Sequence, residues 1–214
     1  MRALSAKPAV AGLYAIADRA YLAPDGFAPA AAQAIAGGAR VVQYRDKLAG
    51  TDERARIATG LAALCRRFDI PLIINDDPQL AKAVGAHGVH LGQDDADVAS
   101  ARQLLGAQAL IGVSCYNELA RAQAAERAGA DYVAFGSFYP SPTKPRALRA
   151  DVDLLRAARR TLRIPIVAIG GITPENGAAL IEAGAAALAV IEGVFGQIDI
   201  RAAAARYTRL FKEL

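Results

Sequence analysis

What the chain lacks narrows the field first. It has two cysteines, Cys65 and Cys115, in no C-x-x-C or zinc spacing, which argues against a disulfide scaffold and for reduced, partly buried thiols in a cytoplasmic protein. It has two histidines and offers no Ser-His-Asp or Cys-His arrangement for nucleophilic catalysis. No apolar run approaches the roughly 18 residues of a membrane span, and Met1 to Val10 lacks the apolar stretch of a secretory signal. Aromatic residues make up 6%, with no Lys/Arg cluster interleaved among them, so neither nucleic acid nor a membrane is an expected partner. Lysine is scarce: Lys7, Lys47, Lys82, Lys144 and Lys212 complete the set.

What is present points to a folded domain. The 214 residues are 54% hydrophobic and 21% charged, which excludes an intrinsically disordered chain and fits one domain over 1–214, with 1–11 as a short N-terminal extension. The formal net charge of +4 suits phosphorylated small molecules, while most surplus arginine is assigned to solvated helix faces.

Short β-rich runs recur, each followed by an Ala-rich helical stretch. Strands are predicted at 13–18, 40–45, 71–75, 88–92, 110–114, 132–136, 165–170 and 186–191. Helices are predicted at 28–36, 52–68, 78–84, 96–105, 117–128, 151–162, 174–183 and 201–213. Several strands are apolar throughout, as in parallel sheets covered on both faces. A weak repeat, Gly38-Ala39, Gly85-Ala86, Gly129-Ala130 and Gly184-Ala185, stands between helix and next strand, where a left-handed glycine ends the helix. Eight such units with short loops predict an α/β fold, a single-domain (β/α)8 TIM barrel, rather than an open doubly wound sheet.

In a barrel the site lies at the C-terminal strand ends. Strand 2 ends in Gln43-Tyr44-Arg45-Asp46-Lys47, where a period of two sets Gln43, Arg45 and Lys47 on one face and Tyr44 and Asp46 on the other. An amide and two cations on one row suit a phosphorylated ligand. Strand 3 ends in Asn75-Asp76-Asp77 and strand 4 in His90-Leu91-Gly92-Gln93-Asp94-Asp95. Each acidic pair alone reads as a helix cap, but on adjacent strands the carboxylates can converge on one Mg²⁺. His90 reads as a hydrogen-bonding structural residue and His87 as a surface turn residue. Ser114 closes strand 5, and the stiff loop after strand 6 presents Ser141, Pro142, Thr143 and Lys144. Gly170-Gly171 and Ile191-Glu192, after strands 7 and 8, occupy the place where barrels hold phosphate.

Taken in order, Gln43-x-Arg45-x-Lys47, Asn75-Asp76, His90-x-Gly92-Gln93-x-Asp95, Ser114, the Thr143-Lys144 loop and Gly170-Gly171 resemble the thiamine-phosphate synthase family, from about residue 12 to 196. The resemblance implies a transferase joining 4-amino-2-methyl-5-(diphosphooxymethyl)pyrimidine to a phosphorylated thiazole, with release of diphosphate. It places Gln43 to Lys47, Tyr44 and Asp46 included, with Asn75, Ser114 and Lys144 at the pyrimidine diphosphate, and assigns catalytic roles to Arg45, Lys47 and Lys144. It assigns Mg²⁺ to Asp76 and Asp95, and the thiazole phosphate to Ser141, Pro142, Thr143, Gly171, Ile191 and Glu192. Three positions depart from the family pattern: Ser141 for Thr, Gln79 for Asp, and Glu192 for Ser. A carboxylate beside a phosphate is unfavourable, so Glu192 is expected to offer only its backbone N–H.

The resemblance allows a homo-oligomer. Its rivals are a thiazole tautomerase on the same barrel, which would need neither the aspartates nor the full Gln-Arg-Lys row, a Schiff-base aldolase using Lys47 or Lys144, and a non-catalytic pyrimidine-phosphate binding module.

Overall fold

The computed structural model describes residues 7–93, 95–140 and 148–212. Among these, eight parallel strands run β1 (Gly12–Asp18), β2 (Val41–Arg45), β3 (Leu72–Asn75), β4 (Gly88–Leu91), β5 (Leu110–Tyr116), β6 (Tyr132–Phe135), β7 (Ile166–Ile169) and β8 (Ala187–Val190). Each pairs with the next and β8 pairs back with β1, closing a barrel. The helices are α1 (Phe27–Ala36), α2 (Thr51–Arg67), α3 (Pro78–Val84), α4 (Val98–Leu105), α5 (Leu119–Arg127), α6 (Val152–Thr161), α7 (Gly177–Glu182), α8 (Glu192–Phe195) and α9 (Ile200–Leu210). The chain is thus a single-domain (β/α)8 barrel.

Alternation along the strands builds two cores. Outward residues such as Leu13, Val42, Ile74, Val89, Ile111, Val133 and Leu188 pack under the helices with Phe27, Leu61 and Leu155. Inward residues Tyr14, Ile16, Val41, Ile73, Leu110, Tyr132, Val167 and Ala187 fill the barrel, with Val10 among them. The expected N-terminal extension therefore contributes a plug: Val10 is 3% exposed. Lys7 ties the same end to Asp131, whose carboxylate also accepts from Arg102 and the Ile111 N–H.

The four predicted helix-ending glycines, Gly38, Gly85, Gly129 and Gly184, all have positive φ, between 63° and 117°. The Asx residues that open helices act as caps: Asp77, Asp97, Asp151 and Asp199 each accept an N–H from three residues on. Several bounds move by a residue or more, α7 starting at Gly177 where 174 is expected, and two further features differ from the sequence reading. β5 runs on to Tyr116 through a register shift against β6. The segment after β8 forms the one-turn helix α8 instead of a plain loop.

Candidate active site

The C-terminal rim receives the polar strand ends. Arg45 is level with Asp18 across β1 and β2, and its guanidinium donates to the Asp18 carboxylate. Asp18 is 2% exposed and also accepts the Ala20 N–H at 2.9 Å. One residue pair further out, Lys47 Nζ lies 3.0 Å from Asp76 Oδ2.

Asp76 sits at φ 64°, in the left-handed region that short polar side chains tolerate best. Its N–H donates to the His90 carbonyl at 2.8 Å, so the turn after β3 is pinned to β4. Asp95, in the loop after β4, accepts the Gly92 N–H at 2.5 Å and shares a hydrogen bond with Asp76. A side chain at Gly92 would intrude here: its Cβ would lie 2.8 Å from Asp95 Oδ2 and 3.9 Å from Asp76 Oδ1.

Burial raises Asp76, but the hydrogen bond from Asp95 and the Lys47 ammonium outweigh it and hold the group below the usual carboxylate range. Burial and the facing Asp76 carboxylate hold Asp95 above that range. Two apposed carboxylates beside one ammonium form a place that suits a dication. No group of three or more His, Cys, Asp or Glu among the described residues could hold a metal. Two protein carboxylates with room for water and phosphate oxygens fit Mg²⁺, not a closed zinc cage.

On the Asp76 side of this pair lies a cavity of about 550 Å³ lined by Asp46, Lys47, Arg54, Asn75, Asp76, Asp77 and Gln79. A smaller hollow of about 180 Å³ lies under β7 and β8 at the opposite rim, between Arg159, Arg163 and Pro165, far from these groups.

Gln43 points inward below Arg45 and is 3% exposed. Its Nε2 donates to the Tyr14 hydroxyl at 2.8 Å, which meets the Tyr132 hydroxyl at 2.9 Å. Tyr132 meets His90 Nδ1 at 3.1 Å, and His90 Nε2 meets Ser114 Oγ at 2.9 Å. His90 is therefore part of a buried polar network, as expected of a structural histidine. Cys115, next to Ser114, and Cys65 are fully buried, and burial pushes both thiols up to about 12, so neither is a nucleophile.

Gly171 has φ 61°, and a Cβ there would stand 2.2 Å from the Pro140 carbonyl, so glycine lets the loops after β6 and β7 touch. Ile191 caps α8 and Glu192 opens it, exposed to solvent.

The structure thus gathers Gln43, Arg45, Asp46, Lys47, Asn75, Asp76, Asp95 and Ser114 on or just below one rim, with Gly171, Ile191 and Glu192 on its β7–β8 arc. Ser141, Pro142, Thr143 and Lys144 lie outside the described residues. Tyr44, set by alternation on the face opposite Gln43 and Arg45, turns its ring outward, edge-on to Phe27 at 5.2 Å, in the core beneath α1, so its side chain does not line the mouth. Asp46 is buried behind the rim. It accepts the Leu48 and Ala49 N–H groups and the Tyr44 hydroxyl, and so shapes the β2 loop. His87 stands in the turn before β4 as expected, but it is half-buried and its Nδ1 accepts the Leu72 N–H at 3.1 Å.

Sequence reasoning missed Asp18, Tyr14, Tyr132 and Arg54. The first two follow the same alternation that revealed Gln43 and Arg45. Arg54, in the first turn of α2, donates to Asp77 at 2.9 Å and adds a second cation, after Lys47, to the cavity wall.

A closed (β/α)8 barrel with cations, apposed carboxylates and a hydroxyl at the strand C-termini defines a barrel enzyme with its site on that rim. Residues 13–194 match the family described as Thiamine monophosphate synthase. The thiamine-phosphate synthase of Nitrosococcus oceani is 57% identical over 202 residues, 94% of this chain and 93% of that one. That of Thiobacillus denitrificans is 58% identical over 178 residues, 83% and 84% of the two chains. The structure of thiamine phosphate pyrophosphorylase from Pyrococcus furiosus superposes with a TM-score of 0.85 at 34% identity, covering 94% of this chain and 96% of that one. The chain belongs to the thiamine monophosphate synthase family, and with it to the transferases.

Proposed function

We propose that this protein acts in thiamine biosynthesis, joining 4-amino-2-methyl-5-(diphosphooxymethyl)pyrimidine to a thiazole phosphate in a Mg²⁺-dependent reaction that yields thiamine phosphate and diphosphate. The observation that carries the reading is the ion pair of Lys47 with Asp76 on the wall of the rim cavity, with Asp95 facing Asp76 and Arg45 ending the strand that leads to Lys47. It joins positive charge for a polyanion to a carboxylate pair suited to a dication.

The chemistry asks little of a base. The C–O bond to diphosphate breaks with its electron pair leaving on oxygen, and the thiazole nitrogen supplies the pair for the new C–N bond. That nitrogen needs no deprotonation, so the shortage of histidine is no obstacle. The protein has to hold the departing polyanion and align two rings. Arg45 and Lys47 are proposed to bind the diphosphate, joined by Lys144 from the loop after β6. Opposite unit charges 4 Å apart are worth about 4 kcal/mol at an effective dielectric of 20, and each 1.36 kcal/mol is about tenfold in rate. Asp76 and Asp95 would hold Mg²⁺, which when bound neutralises charge on the leaving diphosphate. Asn75 and Ser114 are proposed to meet the pyrimidine, with Gln43 beneath them. Gly171, Ile191 and the Glu192 N–H would face the thiazole phosphate, joined by Ser141, Pro142 and Thr143.

The test supplies both substrates with Mg²⁺ or with EDTA and measures thiamine phosphate and diphosphate together. Equimolar, Mg²⁺-dependent products are expected. Absence of both products with intact substrates and Mg²⁺ present would remove the reading.

A further inference from the structure

We propose that Tyr14, Tyr132 and His90 are positioning residues forming a proton-ordered chain from Gln43 to Ser114, which fixes His90 as its Nε2–H tautomer and leaves the Ser114 hydroxyl to donate into the mouth. The argument counts protons. The Gln43 amide nitrogen can only donate, so the Tyr14 oxygen accepts at 2.8 Å and must spend its single proton elsewhere. Its other partner is the Tyr132 oxygen at 2.9 Å, which accepts in turn and passes its own proton toward His90 Nδ1 at 3.1 Å. Nδ1 then acts as an acceptor, so the ring proton sits on Nε2 and is donated to Ser114 Oγ at 2.9 Å. Ser114 has accepted, and its own proton is directed to whatever fills the mouth.

Four observations support the chain. Tyr14 and Tyr132 are 1% and 0% exposed, so water cannot interrupt the links. Burial holds both phenols well above their usual value, so neither gives up its proton. Gln43 is buried while Ser114 is half-buried, which makes Ser114 the end open to a ligand. Gly112 on β5 leaves the space through which the Tyr132 ring crosses: a Cβ there would stand 2.0 Å from its Cζ. Turning the Gln43 amide over would reverse every link, put the ring proton on Nδ1 and make Ser114 an acceptor. One amide thus sets the hydrogen-bonding sense of a serine on the far side of the barrel. The consequence for substrate rests on the proposed reading: a donor at Ser114 selects a ring nitrogen of the pyrimidine, which carries a lone pair.

The chain has only two histidines, so nitrogen NMR of ¹⁵N-histidine-labelled, ligand-free full-length protein decides the matter, with His87→Asn assigning the signals. At a pH where the rings are neutral, His90 is expected to carry its proton on Nε2; a proton on Nδ1 would overturn the proposal. In Tyr14→Phe, which removes the link between Gln43 and Tyr132, the Nδ1–H form should become populated. The KM for the pyrimidine diphosphate should rise about 3- to 10-fold, the worth of one hydrogen bond, with the KM for thiazole phosphate unchanged. Unaltered His90 signals in a folded Tyr14→Phe protein would also overturn it. The spectra need no substrate, so a wild-type protein that makes no thiamine phosphate would refute the proposed function and leave this test standing.

Discussion

Asp18 shows how much of the rim depends on a residue that need never touch a ligand. Its buried carboxylate holds the Arg45 guanidinium and the Ala20 N–H, so it fixes a cation's direction and closes the β1 loop. Asp18→Asn keeps the acceptor for Ala20 but opposes an amide to the guanidinium. We expect a stability loss of about 1–3 kcal/mol and about a tenfold lower kcat/KM for the pyrimidine diphosphate, read by denaturant titration and steady-state kinetics. Wild-type kinetics in that variant would mean that Arg45 needs no such guide. His87 gives a second residue-scale prediction. Burial and Arg66 hold its imidazole below the usual 6.5, so the folded state takes up the proton at lower pH than the unfolded chain. Stability conferred by the neutral ring is full above about pH 6.5 and is lost as pH falls through the folded value. His87→Asn, which offers Oδ1 where Nδ1 stood, should flatten the fall in stability between pH 7 and 5; an unchanged slope would contradict the assignment. At this scale the sequence was legible where charge stood out. Gln43, Arg45 and Lys47 declare a row because they end an apolar strand. Tyr14 and Tyr132 did not, because a tyrosine in an apolar run reads as core, and their meeting spans 118 residues.

Elements were readable wherever two local signals agreed. α3 has Asp77 as its cap, Pro78 at its start and Gly85 at φ 63° at its end, and its predicted bounds coincide with those found. α8 escaped because Ile191-Glu192-Gly193 carries no cap signal and only four residues are helical. Tyr116 extends β5 because a register shift keeps it paired with Phe135, which alternation alone cannot foretell. The capping account makes its own prediction. Asp199 is exposed, accepts the Ala202 N–H at 2.8 Å and opens α9. Asp199→Ala should cost about 1 kcal/mol, lowering Tm by about 2–4 °C, with kcat and KM unchanged. A variant as stable as wild type would show that the cap contributes nothing.

Over the whole molecule, alternation and closure do the gathering. Once β8 pairs with β1, every inward side chain is assigned a depth: apolar and plugged by Val10 at one end, charged at the other. The barrel and the sharing of one rim were legible because a closed parallel sheet sends all strand ends the same way. The pairing of Lys47 with Asp76 and the reach of Arg54 to Asp77 were not, since they depend on loop paths and side-chain directions that no periodicity encodes. The central claim, that this rim takes a diphosphate together with Mg²⁺, is tested most directly by calorimetric titration of inorganic diphosphate into wild type and into Asp76→Asn. The account predicts binding to wild type that requires Mg²⁺ and is at least about tenfold weaker in the variant. Equal binding by both proteins, or binding indifferent to EDTA, would contradict it.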